Sequence, residues 1–412
     1  MKTTLKLVAI LLTGCAGAYA QVVPEATGPA RLPVSGNLHY ALRYSQTAEF
    51  GGGLGDWQTG TISGSLDYSN GTDRHPFNLS YDGGYTKTFT GPDYETGVFQ
   101  HLFISQGLVG HKWNATVSDN ISFTPESPTI GFSGIPGTGE PIGGSGSNPP
   151  SSQSILTLNT RSISNVANAE FGYHLNYATT LNFGGSSNLL RYPDGNGLDS
   201  GGLQANAGLT RRLDARNSLS GQYIFSHYSY SGLSFTSDIN AALFGYQRTW
   251  SPKLRTNVSV GPQWIGSSSS SVEPPSTTIA ASAGVDYHFR SELASLSYNR
   301  GANNGAGYLT VATDDSVNAG FSREFGRDLT IGITGSYARI AGLQIGNGVT
   351  NARYGGAQAT RRLGRYLNVF ANYTAVDQSS SLAASQTNVL NQLYQVIGFG
   401  IAYSPRETHL RQ

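Results

Sequence analysis

The chain has 412 residues, of which 12% are charged and 38% hydrophobic, and its formal net charge is +1. Near-neutrality leaves no electrostatic footprint for nucleic acid or for a strongly charged partner. The absence of a run of 18 apolar residues excludes a protein built of membrane-spanning helices, and a charge share about half the usual one argues against an ordinary soluble domain.

At the start, Lys2 and Lys6 precede the apolar stretch Leu7 to Leu12, the order of a secretory signal. Two cleavage sites compete. Ala18-Tyr19-Ala20 is a small-x-small site that leaves Gln21 first, whereas Leu12-Thr13-Gly14-Cys15 reads as a lipobox that leaves a lipidated Cys15. Cys15 and Met1 are the sole cysteine and methionine, so a chain cut after Ala20 has no disulfide and no thiolate.

Beyond residue 36 the dominant signal is alternation. In Leu254–Trp264, Leu254, Thr256, Val258, Val260, Pro262 and Trp264 share one face, and Arg255, Asn257, Ser259, Gly261 and Gln263 the other. Ile279–Phe289, Leu329–Tyr337 and Leu367–Thr374 alternate in the same way. A period of two sustained over ten residues means a long strand with one apolar face, and strands of about 9–11 residues suit a tilted bilayer crossing.

Eighteen strands are expected, near 37–48, 57–68, 76–86, 97–109, 112–124, 160–173, 177–187, 200–212, 218–230, 236–249, 254–265, 277–289, 293–301, 312–325, 329–340, 350–362, 367–377 and 392–404. Short polar turns centred on Asp73, His111, Leu175, Ala215, Pro252, Ser291, Arg327 and Arg365 recur at a spacing of roughly 38 residues, one hairpin each. The exception contains residues 124–154, a Gly/Pro/Ser-rich segment that reads as a long loop. All short turns then fall on one side and all longer loops on the other. This predicts an all-β fold, a transmembrane antiparallel up-and-down β-barrel of about 18 strands, or 16 if one hairpin is miscounted. The barrel covers 37–404, with short periplasmic turns and longer extracellular loops. Alternation is poor over 49–75 and 299–316.

Aromatic residues fall at strand ends. Trp113, Tyr173, Trp250, Phe289, Phe325 and Tyr403 mark the short-turn side, and Phe123, Trp264, Tyr337 and Tyr373 the long-loop side, as two interfacial girdles require. Arginines such as Arg211, Arg212, Arg361, Arg362 and Arg365 crowd the short turns. Asp119 is the misfit: it shares parity with Trp113, Ala115, Val117 and Ile121, so a bulge or register shift is expected there.

The strand pattern, the turn period and the closing strand Ile397-Gly-Phe-Gly-Ile-Ala-Tyr403 resemble the bacterial outer-membrane porin-like barrels, and more weakly the outer-membrane barrels found with exopolysaccharide export systems. The chain departs from that pattern in the tail 405–412 beyond Tyr403. The resemblance implies location in the bacterial outer membrane, with outer-membrane lipid and the barrel assembly machinery as partners. Further copies of the chain are also implied, since general porins are often trimers. A barrel already fixed in the membrane gains little from a lipid anchor. Cleavage after Ala20 is therefore expected, with 1–20 as signal peptide and 21–36 as a periplasmic lead-in.

No G-x-S-x-G, H-E-x-x-H, phosphate loop or Cys/His metal spacing occurs, so no enzyme, cofactor or metal is expected. Asp286, His288 and Arg290 form the nearest cluster and read as the solvated mouth of a pore. The polar parity is mostly Ser, Thr, Asn, Gln and Gly. Its charged members, His39, Arg43, Asp67, Asp82, Asp286, His288 and Glu324, are the candidate pore-lining residues. Such a lining suits small, mostly uncharged hydrophilic solutes, because charge rings are the device of ion-selective pores. A role in surface polysaccharide export and a structural or adhesive surface role are the alternatives. In general porins the third loop folds inward, which would give 124–154 that place; a loop that stays on the extracellular side is the equal alternative.

Overall fold

In a computed structural model, residues 36–51, 56–70, 74–90, 96–124, 161–195, 198–233, 236–268, 274–303, 310–343, 348–381, 393–405 and 408–410 are described. The expected signal peptide with Ala20 and Cys15, most of the lead-in, and residues 125–154 of the long loop lie outside them.

The strands are β1 (Gly36–Gly51), β2 (Trp57–Asn70), β3 (Phe77–Thr90), β4 (Gly97–Val109), β5 (Trp113–Thr124), β6 (Ser162–Asn176), β7 (Thr179–Arg191), β8 (Ser200–Arg212), β9 (Asn217–Tyr230), β10 (Thr236–Ser251), β11 (Leu254–Ser267), β12 (Ser276–Phe289), β13 (Glu292–Asn303), β14 (Ala312–Phe325), β15 (Leu329–Gly342), β16 (Val349–Leu363), β17 (Leu367–Ser380), β18 (Leu393–Tyr403) and the short β19 (Thr408–Leu410). Each of the first eighteen pairs antiparallel with its neighbour in the chain. β18 then closes on β1, from Tyr403↔Leu42 to Tyr394↔Gly51. Closure removes the open edge that hydrocarbon would leave without hydrogen-bond partners.

Which face meets lipid follows from exposure. Large apolar side chains stand out on one parity all round the wall, with Ile62 66%, Phe244 58% and Phe399 58% exposed. Ladder partners share a face, so the parity carries from strand to strand: Phe244 lies opposite Val260, and Val260 opposite Ala281. A soluble protein would bury this belt; in a bilayer it is the stable exterior. The chain is therefore a transmembrane β-barrel. Eight of the girdle aromatics, including Trp113, Trp250, Trp264, Tyr337 and Tyr403, stand exposed on this face. Lys253 Nζ lies 3.7 Å over the Phe289 ring, at the periplasmic rim.

Short periplasmic turns use left-handed glycine where the chain must reverse. Gly326 and Gly364 take φ of +69° and +81°. The β8–β9 turn is built on Asp214 instead. Its carboxylate accepts from Arg216 N–H at 2.6 Å, Asn217 N–H at 2.9 Å and the Asn217 side-chain amide at 2.7 Å. The Asn217 side chain first, then the Arg216 N–H, hold this carboxyl below the usual carboxylate range. A depressed folded pKa supports the turn above the ordinary carboxylate pKa of about 3.9 and withdraws that support as pH falls through the lowered value. An NMR titration of the Arg216 and Asn217 amides should give a midpoint below about 3.9, and none in D214N.

Three local readings need correction. The β4–β5 and β5–β6 ladders run through Ile104↔Asp119 and Asp119↔Ala167 without a register shift, so there is no bulge at Asp119. Asp119 faces lipid, and its Oδ1 accepts from Asn165 Nδ2 at 2.6 Å. A neighbouring amide, not a slipped register, meets the cost of this carboxylate. The turn expected at Leu175 sits at Tyr177-Ala178, because an irregularity between His174 and Asn176 shifts the β6–β7 ladder. The tail beyond Tyr403 also holds an additional strand, β19, which pairs with Gly36–Leu38 below the β1–β18 seam.

Candidate permeation path

The inward parity falls into three tiers. The periplasmic tier is charged. It carries His39, Asp67, Asp286, His288 and Glu324 from the expected set, together with Arg212, Arg255 and Arg362. Arg255 lies directly opposite Asp286. His39 Nε2 is 2.8 Å from Ser404 Oγ, and its Nδ1 is 3.8 Å from Asp67 Oδ2. Asp67 instead accepts from Ser80 Oγ at 2.6 Å. A separation of 3.8 Å is beyond hydrogen-bond range, so Asp67 does not orient His39 as a hydrolytic triad demands. Arg290, the third member of the Asp286 cluster, sits in the β12–β13 turn at φ +49°, away from the inward face.

The middle tier is largely neutral. Asn168, Asn206, Gln222, Asn318, Gln358 and Asn372 project inward from strands spread round the wall. Ser259 and Ser282 join their hydroxyls at 2.8 Å across β11 and β12. One arc departs from neutrality. Arg43 on β1 lies 3.7 Å from Asp82 on β3, with side chains only 12% and 16% exposed. His101 on β4 is the direct ladder partner of Asp82. Of these, Arg43 and Asp82 are in the expected set. His101, like Arg212, Arg255 and Arg362, was legible by counting parity along its strand.

The extracellular tier mixes buried polar residues, Thr47, Glu49, Thr59, Ser237, Asp314, Thr350 and Gln378 among them, with apolar clusters. Tyr228, Tyr230, Ile239, Ile265, Ala302 and Val311 form one buried cluster, with Leu198 and Leu343 packed against it. On another arc Ile340, Val376, Tyr394 and Val396 are each no more than 1% exposed. Apolar clusters thus interrupt the inward parity of this tier on two arcs, with polar residues between them.

What covers the first cluster is the end of the β13–β14 hairpin. The β12–β13 ladder stops at Ala281↔Arg300, while β13–β14 continues to Asn303↔Ala312. The end of β13 therefore parts from β12, while β14 keeps its ladder with β15 as far as Ala312↔Gly342, and Ala302, Asn303, Thr310, Val311 and Ala312 are all buried. Gln263 of β11 replaces the missing ladder partner. Its Oε1 accepts the Ala302 N–H at 2.9 Å, and its Nε2 reaches the Ala302 carbonyl at 3.5 Å. The Tyr230 hydroxyl donates to the Thr310 carbonyl, and Leu343 N–H donates to the Val311 carbonyl at 3.0 Å. Beside Gln263, Pro262 has no N–H to give, and the β10–β11 ladder is interrupted between Ala241↔Gln263 and Phe244↔Val260. A Cβ at Gly261 would collide with the Ala242 carbonyl, so the two backbones approach closely only because this residue is glycine.

The inward-folded segment is thus seen at β13–β14. The segment 124–154, which analogy with the third loop of general porins suggested, lies outside the described residues beyond Thr124.

No family model matches the chain, and no curated relative does. Solved structures similar to it include OccK2 (OpdF) of Pseudomonas aeruginosa, with TM-score 0.48 and 12% identity over 91% of this chain and 98% of that one. OpdQ of Pseudomonas aeruginosa has TM-score 0.44 and 11% identity over 90% and 98%. A BenF-like porin from Pseudomonas fluorescens Pf-5 has TM-score 0.46 and 11% identity over 90% and 99%. At these identities the likeness concerns the fold alone.

Proposed function

We propose that the barrel is a passive outer-membrane channel for small, mostly uncharged hydrophilic solutes, narrowed at its extracellular mouth by the β13–β14 hairpin end. The observation that carries this reading is the middle tier. A closed wall encloses a ring of side-chain amides and hydroxyls, Asn168, Asn206, Gln222, Asn318, Gln358 and Asn372 among them. Such groups exchange hydrogen bonds with water and with solute hydroxyls at little net cost, and attract neither cation nor anion strongly. An eighteen-strand wall is wide enough for a water-filled interior, where eight strands would be filled by side chains. The Arg43–Asp82 pair is self-compensating, so it adds a local dipole without a net field. The charged periplasmic tier contains both signs, with Arg212, Arg255 and Arg362 on the same inward parity as Asp67, Asp286 and Glu324, and Arg255 directly opposite Asp286.

The test is solute flux into vesicles containing the refolded barrel. Neutral pentoses and hexoses are expected to enter faster than monoanions or monocations of similar size. Entry of charged solutes at least as fast as sugars would overturn the neutral-solute reading, and no entry of any solute would overturn the channel. No observation among the described residues favours polysaccharide export or an adhesive role.

A further inference from the structure

The outer wall over β13–β16 carries three arginines near its extracellular end: Arg300, Arg339 and Arg353. All three are on the lipid-facing parity, with Tyr298 and Tyr337 among their neighbours. Asp315 lies between Arg300 and Arg339 in the ladder. It is engaged by Arg300 at 3.1 Å and by the Tyr298 hydroxyl at 3.2 Å. Arg353 lies 3.6 Å from Asp377, with 75% of its side chain exposed. Arg339 is exposed and has no ion-pair partner among the described residues.

Arg339 and Arg353 are diagonal neighbours. Arg339 stands opposite Asn351 and Arg353 opposite Tyr337, which sets their Cα atoms about 7–8 Å apart. The Tyr337 hydroxyl donates to Asn351 Oδ1 at 3.1 Å, which fixes that amide and leaves its N–H groups as donors. Two guanidinium groups and an amide thus share one face of the β15–β16 pair, with carboxylates only on the outer strands, Asp315 opposite Arg339 and Asp377 opposite Arg353. Directly below, the wall is smooth. Gly335 pairs with Gly355, with Ala357, Ala359 and Ala375 on the same face, and a Cβ at Gly355 would meet nothing within 4 Å. A basic spot at the aromatic level above a shallow apolar strip fits an anionic head group carrying acyl chains.

We propose that Arg339, Arg353 and Asn351 hold the phosphate of a phosphorylated lipid of the outer leaflet, with an acyl chain lying along the Gly335–Gly355 strip. Guanidinium groups grip phosphate through paired N–H donors. Arg300, already bound to Asp315, closes the flank of the site. The proposal does not depend on whether the lumen conducts.

Native mass spectrometry of the detergent-purified barrel tests it, with bis-phosphorylated lipid A, the same lipid stripped of phosphate, and inorganic phosphate as probes. Wild type is expected to retain the bis-phosphorylated lipid. The R339A/R353A variant should retain at least tenfold less, R339K/R353K should recover part of the loss, and R361A, altered near the periplasmic rim, should match wild type. Equal retention by R339A/R353A would overturn the proposal, as would equal retention of the phosphate-free lipid. Displacement of the lipid by millimolar inorganic phosphate would show an anion site without lipid character, and would overturn it as well.

Discussion

Replacing Gln263 by alanine is expected to raise single-channel conductance several-fold while leaving the barrel folded. The side chain supplies the acceptor for Ala302 N–H at the point where β13 has left β12. Without it, a buried N–H loses its partner at a cost of about 1–3 kcal/mol. A destabilisation of that size shifts the population of a displaced hairpin end by roughly 5- to 150-fold. Y230F, which removes the hydroxyl donating to the Thr310 carbonyl, should act in the same direction and less strongly. The variants are to be compared with wild type in planar bilayers, after heat-modifiable mobility on gels confirms an intact barrel. Unchanged conductance in both would mean that the β13–β14 end does not limit passage.

The second large effect concerns the wall. Val260 and Ser259 are adjacent on β11 at mid-depth, and they face opposite ways. Val260 is 48% exposed on the lipid side, and Ser259 points inward to Ser282. V260R is expected to lower unfolding stability in lipid by about 2–4 kcal/mol, the cost of a guanidinium at the bilayer midplane. S259R places the same charge in the lumen and should cost much less. Equilibrium denaturation in vesicles measures both. Equal costs, or a larger one for S259R, would reverse the assignment of faces.

Most of the wall was legible in the sequence because lipid and water impose opposite demands on successive residues. The alternation in Leu254–Trp264 survives even Pro262, whose missing N–H interrupts one ladder without changing the face that its side chain takes. Each of the eighteen expected strands is present, and β4, β8 and β14 have the expected bounds. The places where alternation failed have a physical cause at 299–316. There the end of β13 parts from β12 and is buried on both parities, at Ala302 as at Asn303, so a period of two no longer applies. Its run Gly301-Ala302-Asn303 is small enough to enter the lumen, a signal that hydrophobic alternation does not contain. Gln263 looked like one more polar inward residue, because its role depends on a strand that is distant in sequence. Asp119 misled in a different way. Parity identified its face correctly, but the partner that makes the position tolerable, Asn165, belongs to the next strand. The strand β19 escaped notice because three residues are too few to show a period.

The candidate path was legible only in part for a related reason. Parity assigns His39, Arg43, Asp67, Asp82, Asp286, His288 and Glu324 to the inward face, but depth decides what each one meets. Arg43 and Asp82 form a half-occluded pair at mid-depth, whereas Asp286 and His288 stand at the periplasmic mouth. The apolar cluster in the extracellular tier was hidden because Tyr228, Ile239 and Ile265 look like ordinary strand residues until a third element packs on them.

The most direct measurement is single-channel recording of the wild-type barrel in a planar bilayer under a potassium chloride gradient. A neutral-walled, partly narrowed channel gives small, ohmic openings with a reversal potential close to zero. A reversal potential near the limit for a pure cation or anion pore would contradict the neutral middle tier. Silence from both the wild-type barrel and Q263A would contradict a passage altogether.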